Sequence, residues 1–445
     1  MKNLKIAHFL LLNSKKDEIM KVPKTWMLQK RQVTSSFLKK LNLKNFSNIN
    51  NMGNQTTTQK SLEREIKESQ HLITPFQTLK KLPIPLDQTQ CVLHKHELLI
   101  CGGHNQRACY SYHILKNEYK FICKYPSHVI LRGYCVVKLV DSNKDNNQIT
   151  LLSFGSTWGG YNKHTLVMKY VSVWSNHNNN DDQNQNGMNK SKKFNQLNQL
   201  NKSNNYNQWI PFTDNHNNPI IIGREGMRAL IGGINNHLLF ITYLDNISVF
   251  DLNTFQLIQH DQLPINNKIY YHCFVSKSEN RQEQEMMKTN QRYKQNYQML
   301  LFCWNIGLSI EYDEYNNTFQ FHKLPVCHDM KPFNRYAYVC INDVILFFGG
   351  NGNGVSKSIH KYSIRKNKWT TFKNTLPNPL CDCVAILNEE DNGIHIIGGA
   401  NDKDIKVSTH MKTKVRIWDP SQLVMVCLFI LMNTNKLCYI KLTNK

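Results

Sequence analysis

The chain has 445 residues, of which 40% are hydrophobic, and its formal net charge at pH 7 is +23. This length and apolar content suffice for one large core with appendages. Residues 1–90 contain 16 Lys and Arg against 6 Asp and Glu, so +10 of the charge lies near the N-terminus. The remainder is spread through the chain without the aromatic–basic stacking motifs of RNA-binding sheets, which argues against a specific nucleic-acid partner.

The N-terminal segment, residues 1–74, is basic and does not repeat, and we predict that it is a disordered extension. Within it, residues 52–57 (MGNQTT) match the N-myristoylation pattern, which requires a glycine at the N-terminus after removal of methionine. The motif is internal in the sequence as written. Gly53 is therefore a predicted acylation site, and a membrane a predicted partner, only if translation starts at Met52.

A repeated pattern dominates residues 75–420. A strand-like apolar run ending in two glycines occurs at residues 98–103, 345–350 and 394–399. Further along each unit, two large residues stand seven positions apart; these pairs are Tyr112 with Tyr119, Phe250 with Leu257, Tyr312 with Phe319, and Tyr362 with Trp369. A unit of roughly 40–50 residues with this content is one small sheet that cannot bury its faces alone, so several must stack.

The pattern resembles that of the kelch family. This resemblance implies a β-propeller, in which four-stranded blades arranged radially leave only short, protected edges. Six repeats can be counted, and their first strands begin near Cys91, Gly133, Met227, Tyr271, Tyr336 and Cys381. We therefore predict an all-β fold, a six-bladed kelch-type propeller with four-stranded antiparallel blades and polar disordered insertions.

Glycines after the second strand of a repeat are predicted to form its turns, because a bare backbone permits a tight turn and close approach of the next sheet. These predicted structural turn residues are Gly102, Gly103, Gly155, Gly349, Gly350, Gly398 and Gly399. Gly232 and Gly233 do not belong to this set. Aligning residues 234–240 on residues 341–347 assigns them to the preceding strand.

Closure of the ring is predicted from the two ends of the repeat region. The sixth repeat has no clean fourth strand, whereas residues 76–83 form a surplus strand that copies the pattern of residues 319–325. We expect residues 76–83 to pair beside the third strand of the sixth repeat. The alternative closing segment is residues 425–431.

Two polar insertions interrupt the repeats, at residues 176–207 and 276–298. Their Asn, Gln and charged residues cannot repay the entropy of ordering, so both are predicted to be disordered loops. No structure is assigned to the tail, residues 421–445, which could supply an extra strand or a buried end. Its apolar run of about ten residues is too short to span a bilayer.

The residues that could carry chemistry form no recognisable catalytic or metal-binding pattern. The 13 cysteines are odd in number and include no Cys-x-x-Cys pair, which favours free thiols in a reducing, cytoplasmic compartment. His94, His96, His104 and His113 mix strand and turn positions and are interpreted as surface or edge residues. We predict that the chain has no cofactor and no metal, and that it is not an enzyme.

Function is predicted to reside in the loops of the disc. The first hypothesis is a monomeric, noncatalytic scaffold that binds an unidentified protein partner, since propellers present loops on a rigid body. Candidate contact residues, in or beside turns, are Arg107, Arg132, Trp158 and Arg335. The alternative is an enzyme with a pocket in the propeller channel that acts on a small molecule or sugar.

The BTB domain that many kelch proteins carry is not recognisable before the repeats.

Overall fold

A computed structural model describes residues 75–140, 148–174, 206–277 and 296–419. Over these ranges the chain is almost entirely β-structure, in six four-stranded antiparallel sheets. The predicted all-β, six-bladed propeller is confirmed. The predicted N-terminal extension, including Gly53, lies outside the described residues, as do the tail and nearly all of both insertions.

The strands follow the chain from blade to blade, after a short leading strand, β1 (Gln77–Thr78). Blade 1 consists of β2 (Gln90–His94), β3 (Glu97–Gly103), β4 (Gln106–His113) and β5 (Glu118–Lys124). Blade 2 consists of β6 (Cys135–Leu139), β7 (Gln148–Gly155), β8 (His164–Val171) and β9 (Ile210–Pro211). Blade 3 consists of β10 (Arg228–Gly232), β11 (Leu238–Tyr243), β12 (Asn246–Asp251) and β13 (Gln256–Gln262).

The second half of the ring repeats this order with two differences: blade 5 has an extra hairpin, and the fourth strand of blade 6 is β1. Blade 4 consists of β14 (Cys273–Ser276), β15 (Asn296–Cys303), β16 (Ile306–Asp313) and β17 (Thr318–Lys323). Blade 5 consists of β18 (Ala337–Ile341), β19 (Val344–Phe348), β22 (Ile359–Ser363) and β23 (Lys368–Thr371), with a small hairpin formed by β20 (Asn351–Gly352) and β21 (Gly354–Val355). Blade 6 consists of β24 (Val384–Asn388), β25 (Gly393–Ile397), β26 (His410–Lys414) and β1.

Burial explains why the chain forms these strands. The second strands β19 and β25 are buried along their whole length, because both faces of an inner strand meet neighbouring blades. The outer strands β13 and β23 are largely exposed. Six hydrophobic clusters result, each built from residues of two adjacent blades. The core is therefore a set of blade interfaces, which no blade could bury alone.

The ring closes between the two ends of the repeat region, as predicted. In blade 6, β1 pairs with the third strand of the repeat, β26, with Thr78 opposite Met411. Trp418 is the last residue of a short helix, α1 (Val415–Trp418). The ring of Phe76 packs against the ring of Trp418, with centroids 5.7 Å apart. The alternative closing segment, residues 425–431, lies outside the described residues. The last blade thus contains strands from both ends of the repeat region.

The diglycine turns bring the backbones of neighbouring blades together. Gly398 has a φ of +66°, and a Cβ atom there would lie 2.4 Å from the carbonyl oxygen of Leu86. Gly349 has a φ of +65°, and its Cβ would lie 2.1 Å from the carbonyl oxygen of Leu380. Only glycine accommodates both the left-handed backbone and the contact. Gly232 ends β10, the strand that precedes β11, as the alignment predicts.

No helix among the described residues has the length and apolar character needed to cross a membrane.

Candidate functional site

The connections between blades emerge on one face of the disc. Within each antiparallel blade the first and third strands run one way and the second and fourth the other. The turns between second and third strands therefore lie on the same face as the connections from one blade to the next. We call this the mouth face, because these connections surround one end of the central channel.

Six equivalent residues form a ring on the mouth face. Each has a left-handed backbone, with φ between +51° and +62°, and each stands two positions before the first strand of its blade. This mouth ring consists of Gln88, Gly133, Gly226, Tyr271, Arg335 and Asp382. Four of the six carry side chains, although a left-handed backbone is uncommon for residues other than glycine and such residues cluster at functional sites.

Hydrogen bonds connect successive members of the mouth ring. The amide of Gln88 donates to the carbonyl oxygen of Asp382 at 2.8 Å, and the amide of Asp382 donates to that of Arg335 at 2.7 Å. The amide of Gly133 donates to the side-chain oxygen of Gln88 at 3.3 Å. These bonds join four of the six members, Arg335, Asp382, Gln88 and Gly133, along one side of the channel mouth.

An ion pair joins Arg335 to Asp382 within the ring. The Asp382 side chain is only 2% exposed, and burial raises its pKa although Arg335 opposes the rise. Burial also disfavours the charge on Arg335, but the hydrogen bond to Asp382 and the negative charge of its carboxylate together outweigh burial, and the pKa of the guanidinium is raised. The Arg335 guanidinium also lies 5.9 Å from the ring centroid of Tyr271.

Outside the ring lies a cavity of about 450 Å³, which we call the mouth cavity. Its lining combines aromatic and charged side chains, among them His104, Arg132, Tyr270, Trp304 and Arg335. This mixture offers ring faces, hydrogen-bond donors and hydrogen-bond acceptors in one concave surface.

A charged group at one side of the mouth cavity is centred on Asp87. Its carboxylate lies 2.9 Å from Nζ of Lys406 and 3.4 Å from Nδ1 of His104. Burial opposes ionisation of Asp87, but both partners outweigh it and its pKa is lowered. The backbone amide of His104 also donates to the Asp87 carbonyl oxygen at 2.9 Å. The imidazole is thus held at a fixed place, with its side chain 27% exposed.

Inside the ring the central channel encloses a further cavity of about 340 Å³. Residues of the first strands line it, including Cys135, Arg228, Tyr338 and Cys340. Both cavities share Gln88, Tyr271 and Arg335, so the mouth ring is the constriction between them.

The four predicted contact residues lie on the mouth face, and two of them share a cavity. Arg132 and Arg335 both line the mouth cavity. Arg107 lies near the start of β4 and is partly buried. Trp158 begins a short 3₁₀ turn, Trp158–Gly160, between β7 and β8, and only its backbone is described.

Sequence reasoning did not identify Asp87, Tyr270, Trp304 or Lys406 as site residues. Asp87 and Tyr270 stand three residues before the first strands of blades 1 and 4, a shared position that could have marked them.

The histidines of the first repeat occupy different environments. The prediction that all four are surface or edge residues is wrong for His94, which is 6% exposed because the neighbouring blade covers it through Tyr170. Burial lowers the pKa of His94. His96 is exposed, with a side-chain exposure of 46%. Among the described residues, no group of three or more His, Cys, Asp or Glu is placed to hold a metal ion.

Comparisons with known proteins leave the family open. No protein-family model matches the chain, and no curated protein matches it. A similar solved structure, titled "Structure of YjhT", shares 14% sequence identity at a TM-score of 0.47, over 76% of this chain and 97% of that chain.

Proposed function

We propose that this protein is a noncatalytic protein-binding scaffold of the kelch type that recognises its partner on the mouth face. The observation that carries the proposal is the convergence of Arg132, Arg335, Tyr270 and Trp304 on one cavity. Arginine, tyrosine and tryptophan dominate the energetics of protein–protein contacts, particularly where a pocket excludes water around them.

Support of the loop backbone favours binding at this surface. Hydrogen bonds within the mouth ring and the packed blade interfaces fix the backbone from which the loop side chains project. A pre-ordered surface loses less conformational entropy on association, so more of the contact energy appears as affinity.

The proposed setting is a monomer in the cytoplasm. The 11 cysteines among the described residues all carry free thiols, most of them buried, which suits a reducing compartment. Membrane attachment through myristoylated Gly53 is proposed only for a chain that starts at Met52.

The test is recovery of partners by the full chain and two variants, measured by quantitative mass spectrometry after affinity capture. Arg107→Ala combined with Arg132→Ala removes two charges from the mouth face while leaving the Arg335–Asp382 pair intact. Arg365→Ala is the matched control, because Arg365 is exposed in the turn after β22, on the opposite face. We expect the double variant to lose at least one partner that the control retains. Identical recovery by all three proteins would contradict the assignment.

A second candidate is an enzyme that uses the mouth cavity on a small molecule or sugar. The observation that favours it is the Asp87–His104 contact, because a carboxylate at Nδ1 orients an imidazole for proton transfer through Nε2. A metabolite screen distinguishes the two candidates. Turnover by the full chain that His104→Gln abolishes supports the enzyme, and absence of turnover together with mapped partner binding supports the scaffold.

A further inference from the structure

Arg228 places a positive charge inside the central channel. It is the first residue of β10, is partly buried and lines the channel cavity. Its Nη1 donates to the carbonyl oxygen of Met227 at 2.9 Å. None of the carboxylates in the described ranges forms an ion pair with it.

The electrostatic influence of Arg228 reaches three other blades. Burial raises the pKa of the Cys135 and Cys273 thiols and raises that of the Tyr338 hydroxyl to about 12, and the Arg228 charge opposes all three rises. These groups lie on β6, β14 and β18, the first strands of blades 2, 4 and 5. A charge on blade 3 acts on all of them because the first strands converge on the channel.

Three other partly buried cations in the described ranges have carboxylate partners. Arg335 pairs with Asp382, Lys406 with Asp87, and Lys412 with Asp391. Removing a cation from water is costly unless an opposite charge and hydrogen bonds compensate. A guanidinium has five N–H donors, and the contact with Met227 uses one of them. Arg228 therefore has donors and a charge available for a ligand with negatively charged oxygens.

A second guanidinium borders the same cavity. Arg335 lines the channel as well as the mouth, and its Nε is buried without a hydrogen-bond acceptor. Asp382 is the one carboxylate among the channel-lining residues, and it neutralises Arg335, so the charged lining residues Arg228, Arg335 and Asp382 leave a net charge of +1. The volume of about 340 Å³ is large enough for a small organic anion.

We propose that the central channel binds a small oxyanion, a carboxylate or a phosphate group, with Arg228 as its main donor and Arg335 as its second. This site differs from the proposed partner surface in its main donor, because Arg228 lines only the channel cavity, whereas Arg335 lines both cavities. Planar guanidinium groups match the geometry of both carboxylate and phosphate oxygens.

Thermal unfolding of the full chain tests the proposal, with inorganic phosphate and malonate as separate probes against sodium chloride at equal ionic strength. We expect either probe, or both, to raise the Tm of the wild-type protein by a few degrees at saturation, since a ligand that binds the folded state stabilises it. A rise with phosphate alone identifies a phosphate site and a rise with malonate alone a carboxylate site. Calorimetric titration then gives the affinity directly.

Two variants locate the bound anion. Arg228→Gln should raise the Tm in chloride, because it removes an uncompensated charge, and should abolish the rise with the probe. Arg228→Lys keeps the charge without the planar fork and should weaken binding about tenfold. Arg365→Gln is the matched control, because Arg365 is exposed in the turn after β22, outside the channel. This variant should keep the full rise in Tm with the probe. The proposal would be overturned if neither probe raised the Tm, or if sodium chloride raised it equally. It would also be overturned if the Arg228 variants kept the full rise in Tm.

Discussion

The hydroxyl of Tyr119, on the outer strand of blade 1, lies 2.6 Å from Nδ1 of His410, on the third strand of blade 6. Nε2 of His410 in turn lies 2.9 Å from Nδ1 of His395 on the neighbouring strand. Both histidines are at most 1% exposed. A hydrogen-bonded chain of neutral groups therefore crosses the seam where the ring closes.

Acid should weaken this seam. Burial lowers the pKa of His395 to about 4 and that of His410 to about 3, whereas a histidine in the unfolded chain titrates near about 6.5. Below the pKa of the unfolded chain, the unfolded state binds more protons than the folded state. The contribution of these histidines to the free energy of unfolding is therefore present above about pH 6.5 and is lost as the pH falls toward 4. Each histidine should cost about 3 kcal/mol of stability at pH 4.

The measurement is the free energy of unfolding in urea between pH 7 and pH 4. His410→Gln should reduce the loss by about 3 kcal/mol, because an amide can replace both hydrogen bonds without titrating. His322→Gln, at an exposed histidine of β17, is the control and should follow the wild-type curve. A His410→Gln curve parallel to wild type would show that the seam does not set the acid sensitivity.

Truncation tests the closing strand. Deletion of residues 1–84 removes β1 and also removes Phe76, whose ring contacts Trp418. Loss of a buried phenylalanine side chain alone lowers the free energy of unfolding by about 3–5 kcal/mol. Deletion of residues 1–74 keeps both and is the matched control. We expect the longer deletion to melt well below the shorter one in calorimetry. Equal melting temperatures would mean that another segment closes blade 6.

The diglycine turns predict a difference between two alanine substitutions. Gly398→Ala should destabilise the fold by about 2–4 kcal/mol, because it adds a clash with the Leu86 carbonyl to the strain of a left-handed backbone. Gly160→Ala should cost only about 1 kcal/mol, since its φ is +79° but no atom lies within 4 Å of the added methyl group. Chemical denaturation compares the two, and equal losses would assign the whole effect to backbone strain.

The polar insertion between β8 and β9 should be dispensable. Replacing residues 178–205 with a short Gly/Ser linker should leave the far-ultraviolet circular dichroism spectrum and the Tm unchanged, because the composition of this segment cannot repay the entropy of ordering it. Loss of β-sheet signal in this variant would show that the insertion supports blade 2.

The architecture could be predicted because its signals are local. Each diglycine turn and each pair of large residues reports on one blade, and the missing fourth strand at one end matches the surplus strand at the other. The position of Gly232 at the end of a first strand, rather than in a diglycine turn after a second strand, could also be predicted from the alignment of neighbouring strands.

The site could be predicted only in part, because it is assembled from positions that share a backbone conformation rather than a residue type. Gly133 and Gly226 hint at the left-handed position, but Gln88, Tyr271 and Asp382 occupy it too, with no common chemistry in the sequence. The prediction that His94 is a surface or edge residue is wrong because the side chain that covers it, Tyr170, belongs to another blade and lies 76 residues farther along the chain.

The composite last blade also constrains how the chain acquires its structure during synthesis. Thr413 donates through Oγ1 to the carbonyl oxygen of Pro75, 338 residues earlier. At about 5–20 residues per second, a ribosome needs roughly 20–70 s to make the chain between these partners. Throughout that interval β1 is without β26, and the growing arc of blades presents a free face at its leading end. The unfinished arc, rather than the closed disc, is therefore the species that exposes apolar blade surface and is prone to aggregate.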